Sequence, residues 1–268
     1  MFQEGIKSII RDEAVDWWLP VSHTTTAITD TMVKAELEEE AAIVKVLGPD
    51  SVQITEMLDD KIAFLEEARS LNLPVPEYFQ ISSCEDVHKL CSQGIFYGRH
   101  FFLKPLNPYS EDRVCFDRIP DNEAELQSFL QNYQNKITEN SPYFVSEFIQ
   151  VYVLCFVCKR AKMHNTIDAI HCNNLTFCQF QGNEWTGNVI AKDGRIHLYS
   201  SNPSSPMQID YEDGASKTEI FRWIEAFVSA KRLSGSLCFD FMEHPVTGES
   251  ILKFLNCGNY SKPFDYYE

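Results

Sequence analysis

The end of the chain limits its fold most. Leu237, Phe239 and Phe241 alternate with Cys238, Asp240 and Met242. Pro245 to Gly248 then supplies a turn, and Ile251 to Asn256 returns. Period-two alternation, a turn and a second run predict an antiparallel hairpin with one buried face, which excludes an all-helical fold. Helical spacing occurs earlier. Ile62, Leu65, Ala68 and Leu71 follow a cap at Asp59 or Asp60 and stop before Pro74 and Pro76. Leu126, Phe129, Leu130 and Tyr133 mark a helix over Glu123–Ile137, and Ile220, Phe221, Ile224, Phe227 and Val228 mark another. Phe101-Phe102-Leu103 predicts a short strand closing on Lys104-Pro105. Val114-Cys115-Phe116 predicts its return after the polar loop Asn107–Asp112. Tyr143–Ile149, continued by Val151–Val157, predicts strand after Pro142. Helices and strands that alternate, with antiparallel pieces late, predict a mixed α/β or α+β fold.

Before Asp59 the pattern is weaker. Trp17-Trp18-Leu19 precedes Pro20, a polar stretch runs from Ser22 to Thr26, and Glu36, Glu38, Glu39 and Glu40 read as a solvated helix face. The chain has 268 residues, room for one large domain or two small ones at about 150 residues each. Its 39 acidic residues against 23 Lys and Arg give a net charge of −16, which argues against a nucleic-acid binder. The longest apolar run, Tyr143 to Cys158, is broken by Glu147 and Gln150 and falls short of the ~20 residues that span a bilayer. Met1-Phe2-Gln3-Glu4 has no secretory character, so a cytoplasmic protein without membrane partners is expected. Nine cysteines without a secretory lead read as core thiols. Cys155 and Cys158 have C-x-x-C spacing, but in a strand residues three apart point to opposite faces, which disfavours zinc.

Three positions stand out chemically. Lys104 closes an apolar strand before a proline, which suits a fixed point charge for a phosphate. Lys61, in the first turn of a helix, is either a second phosphate ligand or an exposed lysine. Asp240 interrupts an apolar strand, and a buried carboxylate needs a partner. The hairpin would place it opposite residue 254 or a near neighbour. Asp240 and Asn256 then either offer oxygens to Mg²⁺ or hydrogen-bond each other.

In this order the pieces resemble an ATP-grasp ligase over about Asp59 to Asn256. Asp60-Lys61 and "NLPVPE" resemble the entry helix and proline loop. Phe102-Leu103-Lys104-Pro105 resembles the strand lysine on nucleotide phosphates. Val145-Ser146-Glu147-Phe148-Ile149 resembles the adenine linker. Phe239-Asp240-Phe241 and Leu255-Asn256 resemble the metal-binding strands. Two stretches, "LKPLNPYSEDRVCFDRIPDNE" and "NPSSPMQIDYED", are similar to the branch that joins glycine to the cyclohexenone 4-deoxygadusol in making mycosporine-glycine.

The resemblance implies a remnant of an N-terminal region at 1–58 and two ATP-grasp subdomains, 59–145 and 146–268, with ATP and Mg²⁺ between them. Lys61 and Lys104 would hold phosphates. Ser146, Glu147, Phe148 and Ile149 would line the adenine, and Asp240 and Asn256 would bind metal. The loop after Lys104 has no glycine, so Ser110 and Arg113 are its donors, Arg113 beside Lys104 in catalysis. The partners implied are ATP, a small-molecule acceptor and an amine. The family's metal strand reads glutamate, any residue, asparagine, any residue, arginine, whereas here Phe254 and Gly258 replace the charged residues. Val151 and Val153 stand where a glycine and a ribose-binding glutamate are expected. These departures leave a second reading, a nucleotide-binding protein that acts through a partner without turnover.

Overall fold

A computed structural model describes residues 2–20, 24–40, 44–106, 117–147, 184–203, 216–243 and 250–252. It opens with α1 (Phe2–Asp12), β1 (Trp17–Trp18), α2 (Thr24–Glu39) and β2 (Lys45–Val46). β1 and β2 pair in parallel. Ile10, Val33, Leu37, Val44 and Val46 form a small core there, with Ile6, Val15 and Trp18 against it. The acidic stretch read as a solvated face is the end of α2. Glu36 and Glu40 tie α2 to Lys7 and Arg11 of α1, while Leu37 packs inward.

Asp60 ends one helix and starts the next. Its backbone N–H donates to the Glu56 carbonyl at the end of α3 (Val52–Asp59), and its carboxylate accepts from the N–H groups of Ile62 and Ala63 in α4 (Lys61–Ser70). α4 stops at Asn72 in the left-handed region (φ 58°). There the Leu73 N–H donates to the Ala68 carbonyl, which satisfies an end group the helix would otherwise leave bare.

The first sheet holds β3 (Tyr78–Ile81), β4 (Phe101–Pro105), β5 (Asp117–Ile119) and β6 (Tyr143–Glu147) in the antiparallel order β3-β6-β4-β5. One face carries Ile81, Phe101, Leu103, Ile119, Tyr143 and Val145 into a core with α5 (Cys84–Ser92) and α6 (Glu123–Gln131). α6 ends earlier than the expected Ile137. Past Gln131 the N–H groups of Asn132 and Tyr133 reach back only three residues, to Phe129 and Leu130, and the chain continues as turns. Ile137 is buried all the same.

The second sheet holds β7 (Glu184–Lys192), β8 (Arg195–Pro203), β9 (Gly235–Glu243) and β10 (Ser250–Leu252) in the antiparallel order β10-β9-β7-β8, against α7 (Ser216–Ala230). Asp193 and Gly194, both with positive φ, turn β7 into β8. Gly187 lets α7 close on the sheet, since a Cβ there would sit 2.5 Å from Ile224 Cδ1 and 3.1 Å from Ile220 Cγ2. The expected terminal hairpin is present as β9 and β10, and its described pairs stop at Leu252 opposite Phe241, one residue short of Asp240.

The largest core joins the sheets. Phe64, Leu65 and Ala68 of α4, Trp223 and Phe227 of α7, and Trp185, Phe239 and Phe241 of the second sheet meet Tyr78 and Phe144 of the first. The Trp223 indole N–H donates to the Pro74 carbonyl (3.0 Å), and Lys231 pairs with Glu67, fastening α7 to α4 and its following loop. Among the described residues no helix is long and apolar enough to cross a membrane.

Candidate functional site

Strand pairing decides which nominated residues meet. On β4 the buried positions Phe101, Leu103 and Pro105 alternate with half-buried Phe102 and Lys104. Lys104 lies opposite Phe144, and Phe102 lies between Ser146 of β6 and Arg118 of β5. Tyr78 continues that row opposite Ser146. One face of the first sheet therefore carries Lys104, Ser146, Phe102, Arg118, Tyr78 and Phe144. At its β3 side Tyr78 and Phe144 enter the core shared with the second sheet. At its β4–β5 side Lys104, Phe102 and Arg118 are half-buried.

This face is rich in donors. The Tyr78 hydroxyl is buried without a hydrogen-bond partner among the described residues. Burial pushes its phenol pKa up, and Arg69, 4.3 Å over the ring, opposes that only in part. Ser146 donates to the Glu147 carbonyl at 3.4 Å, a poor bond. The half-buried part of this face carries two cations, a serine hydroxyl and a phenyl ring, from Lys104, Arg118, Ser146 and Phe102.

Glu147 faces the other way. Its carboxylate accepts from Arg99 Nε (3.0 Å), and Arg99 also pairs with Glu77 and lies 5.1 Å over the Phe101 ring. Burial lowers the Arg99 pKa, but the bonds it donates to Glu147 and Glu77 outweigh this and leave the guanidinium above its ordinary value. Lys61 is the first residue of α4, whose inner face enters the shared core.

Asp240 is 4% exposed and lies on the face of the second sheet away from α7. The Thr186 hydroxyl, directly opposite on β7, donates to its Oδ1 at 2.8 Å. Asn188 and Asn202 share that face, with Asn188 Nδ2 donating to Asn202 Oδ1 at 3.4 Å. Among the described residues no three of His, Cys, Asp and Glu gather as a metal site. One carboxylate and a hydroxyl already bonded to it do not by themselves form a Mg²⁺ site. Arg113, Phe148, Ile149, Asn256 and the departures at Val151, Val153, Phe254 and Gly258 lie outside the described residues, as does the Cys155–Cys158 pair.

Two residues of this site carried no motif. Thr186 sits in a strand that was not read from the sequence. Arg118 lies just past the expected returning strand, and only the register shows that it shares a face with Lys104.

No protein-family model matches the sequence, and no curated protein matches it. Solved structures do. Biotin carboxylase from Campylobacter jejuni, in a β-γ-ATP complex, superposes with a TM-score of 0.58 at 14% identity, covering 96% of this chain and 52% of its own. The ADP complex of purK, an N5-carboxyaminoimidazole ribonucleotide synthetase, gives 0.57 at 11% identity, covering 96% and 56%. D-alanine-D-alanine ligase from Coxiella burnetii gives 0.55 at 16% identity, covering 92% and 61%. The chain thus has the mixed α/β ATP-grasp fold and spans little more than half the length of these proteins.

Proposed function

We propose that this chain binds ATP between an N-terminal subdomain, 59–145, and a C-terminal one, 146–268, and uses it to join an amine to an activated acceptor. The observation that carries the reading is the pairing of β4 with β6, which puts Lys104 and Ser146 on one half-buried face of the first sheet. In this reading Lys104 and Lys61 hold phosphates, the Ser146 hydroxyl and the chain from Glu147 to Ile149 line the adenine, and Arg113 supports transfer. Glu147 contributes through its backbone, because its carboxylate is engaged by Arg99.

The acceptor oxygen attacks the γ-phosphorus and ADP leaves. The amine then attacks the activated carbon and phosphate departs. Fixed cations that follow the phosphoryl charge supply most of the rate. Mg²⁺ belongs to this reading as the nucleotide's counter-ion, with Asp240 as the protein carboxylate nearest that role and Asn256 as a neutral donor. From the similarity of its two loop stretches, we infer glycine as the amine and a 4-deoxygadusol-like cyclohexenone as the acceptor. The test is ADP release with Mg²⁺-ATP, glycine and such a cyclohexenone, omitting each in turn. Turnover that needs all three supports the reading, and absence of any ATP-dependent product with this and other carboxylate or enolic acceptors sinks it.

A further inference from the structure

We propose that Arg118 is a further phosphate-binding residue, acting with Lys104 as a two-cation clamp. The inference rests on the ATP reading above and adds a residue to it.

Register places the pair. Arg118 lies directly opposite Phe102, so His100 and Lys104 are its two diagonal neighbours on the same face. Diagonal neighbours in an antiparallel pair are about 7–8 Å apart, within reach of two long side chains converging on one ligand. Phe102 sits between Ser146 on one side and Arg118 on the other. A base held at the Ser146 end therefore directs its phosphates towards Arg118 and Lys104.

Charge gives the second argument. Arg118 is half-buried and forms no ion pair among the described residues, in a protein with 39 acidic side chains. Among the described residues its polar contact is with a ring nitrogen, Arg118 Nη2 to His100 Nδ1 at 2.6 Å. A guanidinium only donates, so Nδ1 is the accepting atom of this contact. An imidazole partner fixes the direction of the guanidinium and brings no negative charge to it. The planar fork remains matched to a phosphate, which Arg binds through two parallel bonds.

The experiment measures ATP affinity by calorimetry and adenosine affinity by ligand-observed NMR. It compares the wild type with Arg118→Gln, Arg118→Lys and Lys104→Gln, and records the melting midpoint of each without nucleotide. Arg118→Gln is expected to weaken ATP roughly ten- to a hundredfold, the range for a hydrogen bond between charged groups. It should leave adenosine affinity and the nucleotide-free midpoint unchanged, and Arg118→Lys should recover part of the loss. If Lys104→Gln weakens ATP while Arg118→Gln does not, or if Arg118→Gln weakens ATP and adenosine equally, the clamp is wrong and the ATP site stands. Should the glutamine variant fail to fold, the lysine variant decides: an ATP-only loss supports the clamp, and equal or no loss overturns it. A wild type that binds neither ATP nor ADP overturns both.

Discussion

The two four-stranded sheets face opposite electrostatic tasks. The first is made of short strands, three to five residues, and its polar face carries Lys104, Arg118 and His100 half-buried. The second has three nine-residue strands, and its polar face buries a carboxylate, Asp240, against Thr186. Long flexible cations tolerate partial exposure because their stems bury while their heads stay wet. A short carboxylate in a strand has no such freedom, so the second sheet supplies a hydroxyl directly across. The two polar faces thus carry opposite charge, half-buried cations on the first sheet and a buried carboxylate on the second.

The packing is just as unequal. The second sheet shares its core with α3, α4, α7 and two residues of the first sheet, while the first sheet's own core is built with α5, α6 and the turns that follow them. Phe239 lies at the centre of the larger core, 1% exposed, with Trp223, Phe227 and Phe64 rings 6.0 to 6.4 Å away. Phe239→Ala is expected to cost about 3–5 kcal/mol, read by urea unfolding. A loss below about 1 kcal/mol would mean the shared core does not hold the sheets together.

Asp240 tests the charge side of the comparison. Asp240→Asn keeps the shape and the bond from Thr186 but removes the charge. ATP turnover should fall about a hundredfold, the scale for losing one electrostatic stabiliser. Stability should hold or rise, because a buried charge is the costly element. Asp240→Ala should instead lower stability by about 1–3 kcal/mol, since the Thr186 hydroxyl loses its acceptor. An asparagine variant that turns over at the wild-type rate would remove Asp240 from the site.

Acid should loosen both sheets through different carboxylates. Asp50 accepts from the buried Lys34, whose ammonium also donates to the Gly48 and Pro49 carbonyls. Burial alone would raise the Asp50 pKa, but the bonds from Lys34 and Ser234 outweigh it and leave it below the ordinary aspartate value. Asp86, at the start of α5, is also lowered, first by the Ser82 N–H and then by Ser83. A depressed carboxyl stabilises the fold fully above the unfolded pKa, about 3.9, and loses that contribution as pH falls through the folded value. Unfolding midpoints should therefore be insensitive to these groups between neutral pH and about pH 4 and fall below it. Asp50→Asn and Asp86→Asn should each flatten that fall, and a slope unchanged in both would refute the assignment.

Legibility followed the physics of each signal. The helix at Asp60, the strand ending on Lys104 and the hairpin through Asp240 were readable because apolar periodicity and caps are local. The β7–β8 hairpin rests on an equally local signal, Asp193-Gly194 between its two strands, and no expectation drew on it. The helix at Cys84 likewise announces itself by Ser83 and Asp86. By contrast, Lys34 is buried although nothing near it in sequence marks it, since its acceptors come from residues 48 to 50. Arg118 belongs with Lys104 only through strand register, and Glu147 turns away from Ser146 by the alternation of a single strand.

The smallest expected effect separates the two sheets most cleanly. Ser83 caps α5 by accepting from the Asp86 N–H at 3.2 Å, and Asp86 returns the favour by accepting from the Ser83 N–H at 3.0 Å. Ser83→Ala removes the first bond, together with the one the hydroxyl donates to the Asp86 carboxylate at 2.9 Å, and leaves the second, at a cost of about 1 kcal/mol. α5 packs on the first sheet's own core through Val87 and does not enter the shared one. Hydrogen exchange should therefore quicken in α5, β3 and the strands beside them, while amides of β7 and β9 keep their wild-type protection. Equal acceleration in both sheets would show that they unfold as one unit and that the division between the two cores has no energetic meaning.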